Sequence, residues 1–537
     1  MRRVSLFLTT LFLVNLLIIP ANSAVKYGNK CAKAGQTSIA SGKKFTCIKS
    51  GKKLIWNKGV TLPKPAATPT LSISPTPTPT SALTPTPTPI PSLTPVPEVT
   101  YTASNYPFRY PCEKDPFVPP QWAEYQEFAI KTLGCAMPLR FLDVSLPNSS
   151  PATSLTPNSE RNPVAICKIP DVFVRTTQGT NNNVGHRTSW KFAGDLTIPV
   201  IPVQFTDFGT NKTPREDYDK YLEYFKEMFY KISDGNTRIT FKVPDEYIQL
   251  GVSLKSFDTG QQISSGPWSW RKLDIKRLEQ IVYSKADQTT NFTGIKMTLL
   301  LFPLSVPDDY IAHHPTFRMD RVQTNEGVVD STYIMPPANM NSRADFYGVE
   351  PFLHLHEFFH ANGMLSDHLG DAGIGGSFYG MGNWGNMSGV RLDHLTWDKW
   401  LSGMLADSQV ICAKSTGSAT YWVKPATYFG QFEKLLVIPL SSTKVIAVES
   451  QRRGGMNFKL SKDSFGALVY SLDVMDTRYD GGFDVIRPKS RTTTVKDGPF
   501  IYYDAPLKLN ESVEIWGYRI SVVEAGDFGD VVKVEKL

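Results

Sequence analysis

The sequence predicts an α+β fold, with a mixed α/β unit over residues 196–412 followed by an all-β unit over residues 413–537. Three observations predict it. Between residues 196 and 304, apolar strand-like runs alternate with one long amphipathic helix. A histidine-rich stretch follows at 354–368. Beyond Cys412 the chain breaks into short β-like runs separated by Gly, Asp and Ser.

In the first unit, LTIPVIPVQFTDF (196–208) reads as a buried strand ending at a turn. REDYDKYLEYFKEMFYKIS (215–233) reads as a helix, because Tyr218, Tyr221, Leu222, Phe225, Met228 and Phe229 recur at three- and four-residue spacing. TRITFKVPDEYIQL and IKMTLLLFPL (295–304) read as further strands. In the second unit, KLLVIPL, KVIAVES, GALVYSLDV and YRISVVEA carry the β pattern of a sandwich. A hydrophobic content of 41% and a charged content of 20% place these units among ordinary globular domains.

The N-terminal part has a different character. Residues 1–24 read as a secretory signal: Arg2 and Arg3, an apolar run to Ile19, then Pro20 and the small residues Ala21, Ser23 and Ala24. Cleavage is expected after Ser23 or Ala24, and the protein is expected to be secreted or held at the cell surface. Residues 25–60 form a small lysine-rich module, in which Cys31 and Cys47 are expected to pair and so staple a segment too short for its own core. Residues 61–100 are Pro/Thr-rich and read as an extended linker. Residues 101–195 read as an N-terminal extension or a propeptide-like region. The other cysteines, Cys112, Cys135, Cys167 and Cys412, permit three disulfide connectivities. Outside the lysine-rich module the basic residues are dispersed, so nucleic-acid binding is not expected.

The chemistry concentrates in HLHEFFHANGMLSDH, which holds four of the eight histidines. His356 and His360 are four apart, so a helix puts both imidazoles on one face, where they can grip one metal ion. Glu357 is placed to act as general base toward a water that a zinc ion acidifies, and then to pass the proton to the leaving amine. Gly363 is where the helix can stop. Asp367 is the expected third ligand, with His368 as the alternative. His354 points to another face and is expected at the surface or behind a ligand. His186 and His394 are expected to be structural, and His313 and His314 to be loop residues. Asp371 is of the type calcium uses, but no spacing marks a calcium site.

On these residues the chain resembles the immune inhibitor A family of secreted bacterial zinc metallopeptidases. IPVIPVQFTDF is similar to the family's opening strand, HEFFHANGMLSDHLGD to its extended zinc motif, and HLTWDKWLSGML to the helix beyond it. GNWGNMSG is similar to the segment that sets a methionine, here Met387, beneath the metal. KVIAVESQRRGG…GALVYSLDV is similar to the following β region. The likeness runs over residues 196–537. It implies a zincin-like mixed α/β catalytic domain (196–412) and a β-sandwich (413–537). It also implies one catalytic zinc ion and a protein or peptide substrate. The chain departs from the family at Phe359, where a small residue is usual, and by one residue in the spacing after Gly363. The short N-terminal module resembles two-cysteine modules of exported actinobacterial proteins, which leaves cell-wall association through it open. Two other functions fit the same residues: an inactive surface-binding protein on a peptidase fold, and a hydrolase of cell-wall peptides.

Overall fold

The computed structural model describes residues 28–61 and 144–537, apart from short internal stretches that include 153–159, 311–315, 336–349, 364–367, 369–379, 477–481 and 492–501. The expected signal segment, nearly all of the expected linker, Cys112, Cys135, His313, His314, Asp367 and Asp371 lie outside the described residues. The chain divides into two compact units, 1–96 and 97–537.

In the first unit, strands Thr37–Ala40, Lys53–Trp56 and Val60–Thr61 all pair antiparallel with Lys43–Ser50. The core consists of Phe45, Cys47 and Trp56, and the Cys31–Cys47 disulfide closes it. Gly59 has φ +71°, and a Cβ there would lie 3.0 Å from the Phe45 ring, so this turn requires glycine.

The second unit is mixed α/β. A short strand, β1 (Arg161–Asn162), comes first. Strand β2 (Gly194–Gln204) is followed by α1 (Pro214–Ile232), β3 (Thr237–Lys242) and β4 (Ile248–Gln249). Then come α2 (Ile275–Ala286), β5 (Met297–Leu301), β6 (Thr316–Arg318), β7 (Ser331–Met335) and α3 (Glu350–Gly363). The sheet order is β4-β2-β5-β7-β6, with β3 beside the first half of β2. All its pairings are parallel except that of the edge strand β6.

Both faces of this sheet are covered, which is why its strands read as continuous apolar runs. Ile198, Val200, Leu299 and Tyr333 face a core shared with α1 and α3. Ile201, Val203, Leu300 and Ile334 face a second core shared with α2. Helix α1 starts at a capping box: Glu216 N donates to Thr213 Oγ1 at 3.2 Å, and Thr213 N donates to Glu216 Oε2 at 2.6 Å. Asp207, which ends the FTD of the opening strand, accepts from Ser253 Oγ and from the amides of Leu254 and Lys255. It is a cap for the turn at Leu254–Phe257.

The later elements are α4 (Asn386–Gly389), α5 (Thr396–Ser402), β8 (Val410–Ala413), β9 (Ser418–Val423), β10 (Leu435–Pro439) and β11 (Lys444–Gln451). They end with β12 (Gly466–Asp473), β13 (Phe483–Ile486), β14 (Ser512–Ile515), β15 (Tyr518–Gly526) and β16 (Gly529–Lys536). Five of these strands join β1 in a six-stranded sheet of order β13-β12-β11-β10-β8-β1, and the other four form a sheet of order β9-β16-β15-β14. Ile411, Leu436, Ile446 and Val469 point into a core shared with Tyr421, Ile520 and Val532 of the smaller sheet. Their neighbours Cys412, Val437, Ala447 and Tyr470 point the other way, into the core that holds α1 and α3. The six-stranded sheet is therefore a middle layer.

Residues expected as an extension complete this layer. Asn162 pairs with Cys412 in the edge register, and Cys167 and Cys412 form a disulfide across 245 residues. Both cysteines are fully buried. Replacing both with Ala is expected to lower unfolding stability by about 2–5 kcal/mol, because the bridge removes long-loop freedom from the unfolded chain. Urea midpoints of the two proteins test this, and an unchanged midpoint would refute it.

His186 packs its ring against Trp397 and Trp400, with centroids 5.2 and 4.2 Å away. Burial, with Lys191 and Lys168 nearby, lowers its pKa to about 3. A lowered folded pKa means stability that is present above the unfolded value of 6.5 and is lost as pH falls toward 3. Wild type should therefore lose about 2 kcal/mol more than His186→Phe between pH 7 and pH 5. Parallel pH dependences in denaturant titrations would exclude this role.

Candidate metal centre

Helix α3 packs against β6 and β7 of the first sheet. Phe352, Leu355, Phe358 and Phe359 are all buried, so the helix is apolar on more than one side. Phe358 stacks on Tyr333 of β7, with centroids 4.1 Å apart, and meets Phe225 and Phe229 of α1. These contacts fix the rotation of the helix and hence the direction of its histidines.

His356 and His360 point to one place. Their Nε2 atoms are 3.0 Å apart, and their rings stand at 89°. Both residues are buried, at 7% and 8% exposure. Two nitrogens at tetrahedral zinc distances lie about 3.3 Å apart, so the pair fits one ion with little movement. His356 Nδ1 is 3.1 Å from the Asn386 carbonyl oxygen. That oxygen can only accept, so Nδ1 carries the proton and Nε2 presents its lone pair. Asn386 is itself tied down: its side-chain amide donates to the Phe352 and Leu392 carbonyls at 3.0 and 3.1 Å. Glu357 lies next to His356 in the helix and is equally buried, at 7%.

Met387 follows Asn386 in α4 and is fully buried in the core shared with α1 and α3. Its carbonyl accepts the His368 amide at 3.0 Å, and Ser388 Oγ donates to the His368 carbonyl at 3.3 Å. Helix α4 thus joins the two-histidine helix to position 368. The His368 ring is fully buried against Phe483, and its Nε2 lies 3.0 Å from Asp398 Oδ1 of α5. The carboxylate accepts from Nε2, which leaves Nδ1 bare, and no described residue bonds to Nδ1. Asp367 lies outside the described residues. Among those residues, no third His, Cys, Asp or Glu stands with His356 and His360 as a group able to hold an ion.

His354 is not at the surface. It is fully buried, with Nδ1 2.5 Å from the Tyr333 hydroxyl and its ring against Phe225, and burial lowers its pKa to about 3. The Phe359 ring stacks on His394 at a centroid distance of 3.3 Å. Burial holds the pKa of His394 well below the usual histidine value.

Three positioning residues escaped the sequence reading. Asn386 and Asp398 come from other helices and share no local spacing with the motif. Glu449 of β11 accepts from the Thr396 amide at 2.7 Å and from its hydroxyl, and so holds the start of α5. Burial raises the Glu449 pKa to about 7. No protein-family model matches the chain, and no curated protein matches it either.

Proposed function

We propose that the chain is a secreted zinc-dependent endopeptidase acting on extracellular proteins. The observation that carries this reading is the convergence of His356 and His360 Nε2 at 3.0 Å on a buried helix that also bears Glu357. The lone pair that His356 Nε2 presents when the Asn386 carbonyl takes the Nδ1 proton is the donor a zinc ion needs. A zinc ion held there would polarise a peptide carbonyl and acidify a water. His356 and His360 would hold it, and we assign the third protein position to Asp367, with His368 as the alternative. Glu357 takes the proton from the attacking water and delivers it to the leaving amine. Met387 lies below, as part of the floor.

We read the first sheet, with its antiparallel edge strand beside the motif helix, as a zincin-like catalytic domain. We read the two facing sheets as a β-sandwich. Export accords with the signal-like N-terminus and with two disulfides. Among the described residues, no helix is long and apolar enough to cross a membrane.

The test is hydrolysis of casein by the purified chain, with and without a zinc chelator, alongside its metal content. Chelator-sensitive cleavage with one zinc per chain is expected. A chain that binds zinc but cleaves nothing would favour a surface-binding protein on the same fold.

A further inference from the structure

Charge is distributed very unevenly along this chain. Of its 57 basic and 50 acidic residues, Arg2, Arg3 and ten lysines precede Glu98, and no acidic residue does. Residues 98–537 therefore hold 45 basic and 50 acidic groups, a net −5. The folded module at 28–61 carries eight lysines, no arginine and no carboxylate side chain. Its charge cannot be neutralised from within. Such asymmetry marks a partner of opposite sign.

We propose that this module binds a linear phosphodiester polymer of the cell envelope and so tethers the exported protein to the surface. Lys30, Lys43, Lys49 and Lys53 are exposed on a scaffold held by the Cys31–Cys47 bridge and the Phe45–Trp56 core. A lysine ammonium is a compact point charge that suits phosphate without demanding planar, paired geometry. Nucleic acid is a poorer occupant. Sequence-tolerant binding of single strands needs aromatic faces, and Phe45 and Trp56 are only 7% and 5% exposed. A bilayer is also a poorer occupant, because the large exposed apolar side chains among the module's described residues are the aliphatic Ile48 and Val60, with no aromatic beside them. The proposal stands whether or not the second unit is a peptidase.

The test measures binding of the full mature chain to poly(glycerol phosphate). Double-stranded DNA, phosphatidylglycerol vesicles and neutral dextran are the comparison ligands. Wild type should bind the phosphodiester polymer, with affinity falling on the order of 10²-fold between about 50 and 200 mM salt. Changing Lys30, Lys43, Lys49 and Lys53 together to Gln should weaken binding by about 10²-fold or more. The same four changes to Arg should retain it, which separates lost charge from a lost fold. Cleavage of casein should be the same in all three proteins. Undiminished binding by the Gln variant would overturn the proposal. So would equal binding to dextran, or tighter binding to DNA or vesicles at equal charge concentration.

Discussion

Glu357→Gln is expected to lower peptide hydrolysis by at least about 10²–10⁴-fold while one zinc per chain remains bound. His356 and His360 converge through their Nε2 atoms, and their positions depend on Asn386, Tyr333 and the α1 aromatics. Glu357 neighbours His356 on the same helix and is buried like it. Gln keeps the shape and the helix but cannot accept the proton, so the loss should fall on kcat more than on KM. Zinc content by elemental analysis and casein turnover on the same sample check both halves. Turnover near wild type with full zinc would remove Glu357 from the mechanism. Loss of zinc together with activity would make it a ligand.

The parts of the fold that could be read from sequence are those whose local pattern matches their surroundings. Helix α1 shows its aromatic stripe and also its Thr213–Pro214–Arg215–Glu216 start. β2, β5, β10 and β11 are buried on both faces and read as apolar runs. Two kinds of element stayed hidden. β1 has two residues and no period, and its place depends on pairing with β8 and on the nearby Cys167–Cys412 bridge. β7 is fully buried yet opens with Ser331 and Thr332; Thr332 shares a hydroxyl contact with Tyr283 at 2.7 Å. Sequence alone cannot supply that partner. The site follows the same rule. Two histidines at four-residue spacing announce themselves, because one helix carries both. Asn386 and Asp398 act across 30 residues through backbone and ring atoms that no spacing encodes. The burial of His354 is not legible from spacing either, because α3 is packed on more than one side.

Asp367→Ala is expected to release zinc, whereas His368→Ala should keep it with affinity weakened by about 10–100-fold. The spacing after Gly363 brings Asp367 round before His368, and two histidines with one carboxylate form a known catalytic zinc set. The structure already occupies His368. Its amide and carbonyl are bonded to α4, its ring lies on Phe483, and Asp398 holds Nε2. His368 is thus held from α4, Phe483 and Asp398. It also bears on His356, because the same short helix gives its Asn386 carbonyl to Nδ1. One feature points the opposite way: the bare, buried Nδ1 of His368, backed by a carboxylate, is the form a ligand histidine takes. Zinc titration of both variants decides between them, and Asp398→Asn sharpens the result. In the positioning role, Asp398→Asn and His368→Ala weaken zinc to a similar, moderate extent. If His368→Ala empties the site while Asp367→Ala leaves it filled, His368 is the third ligand and Asp398 its orienting carboxylate.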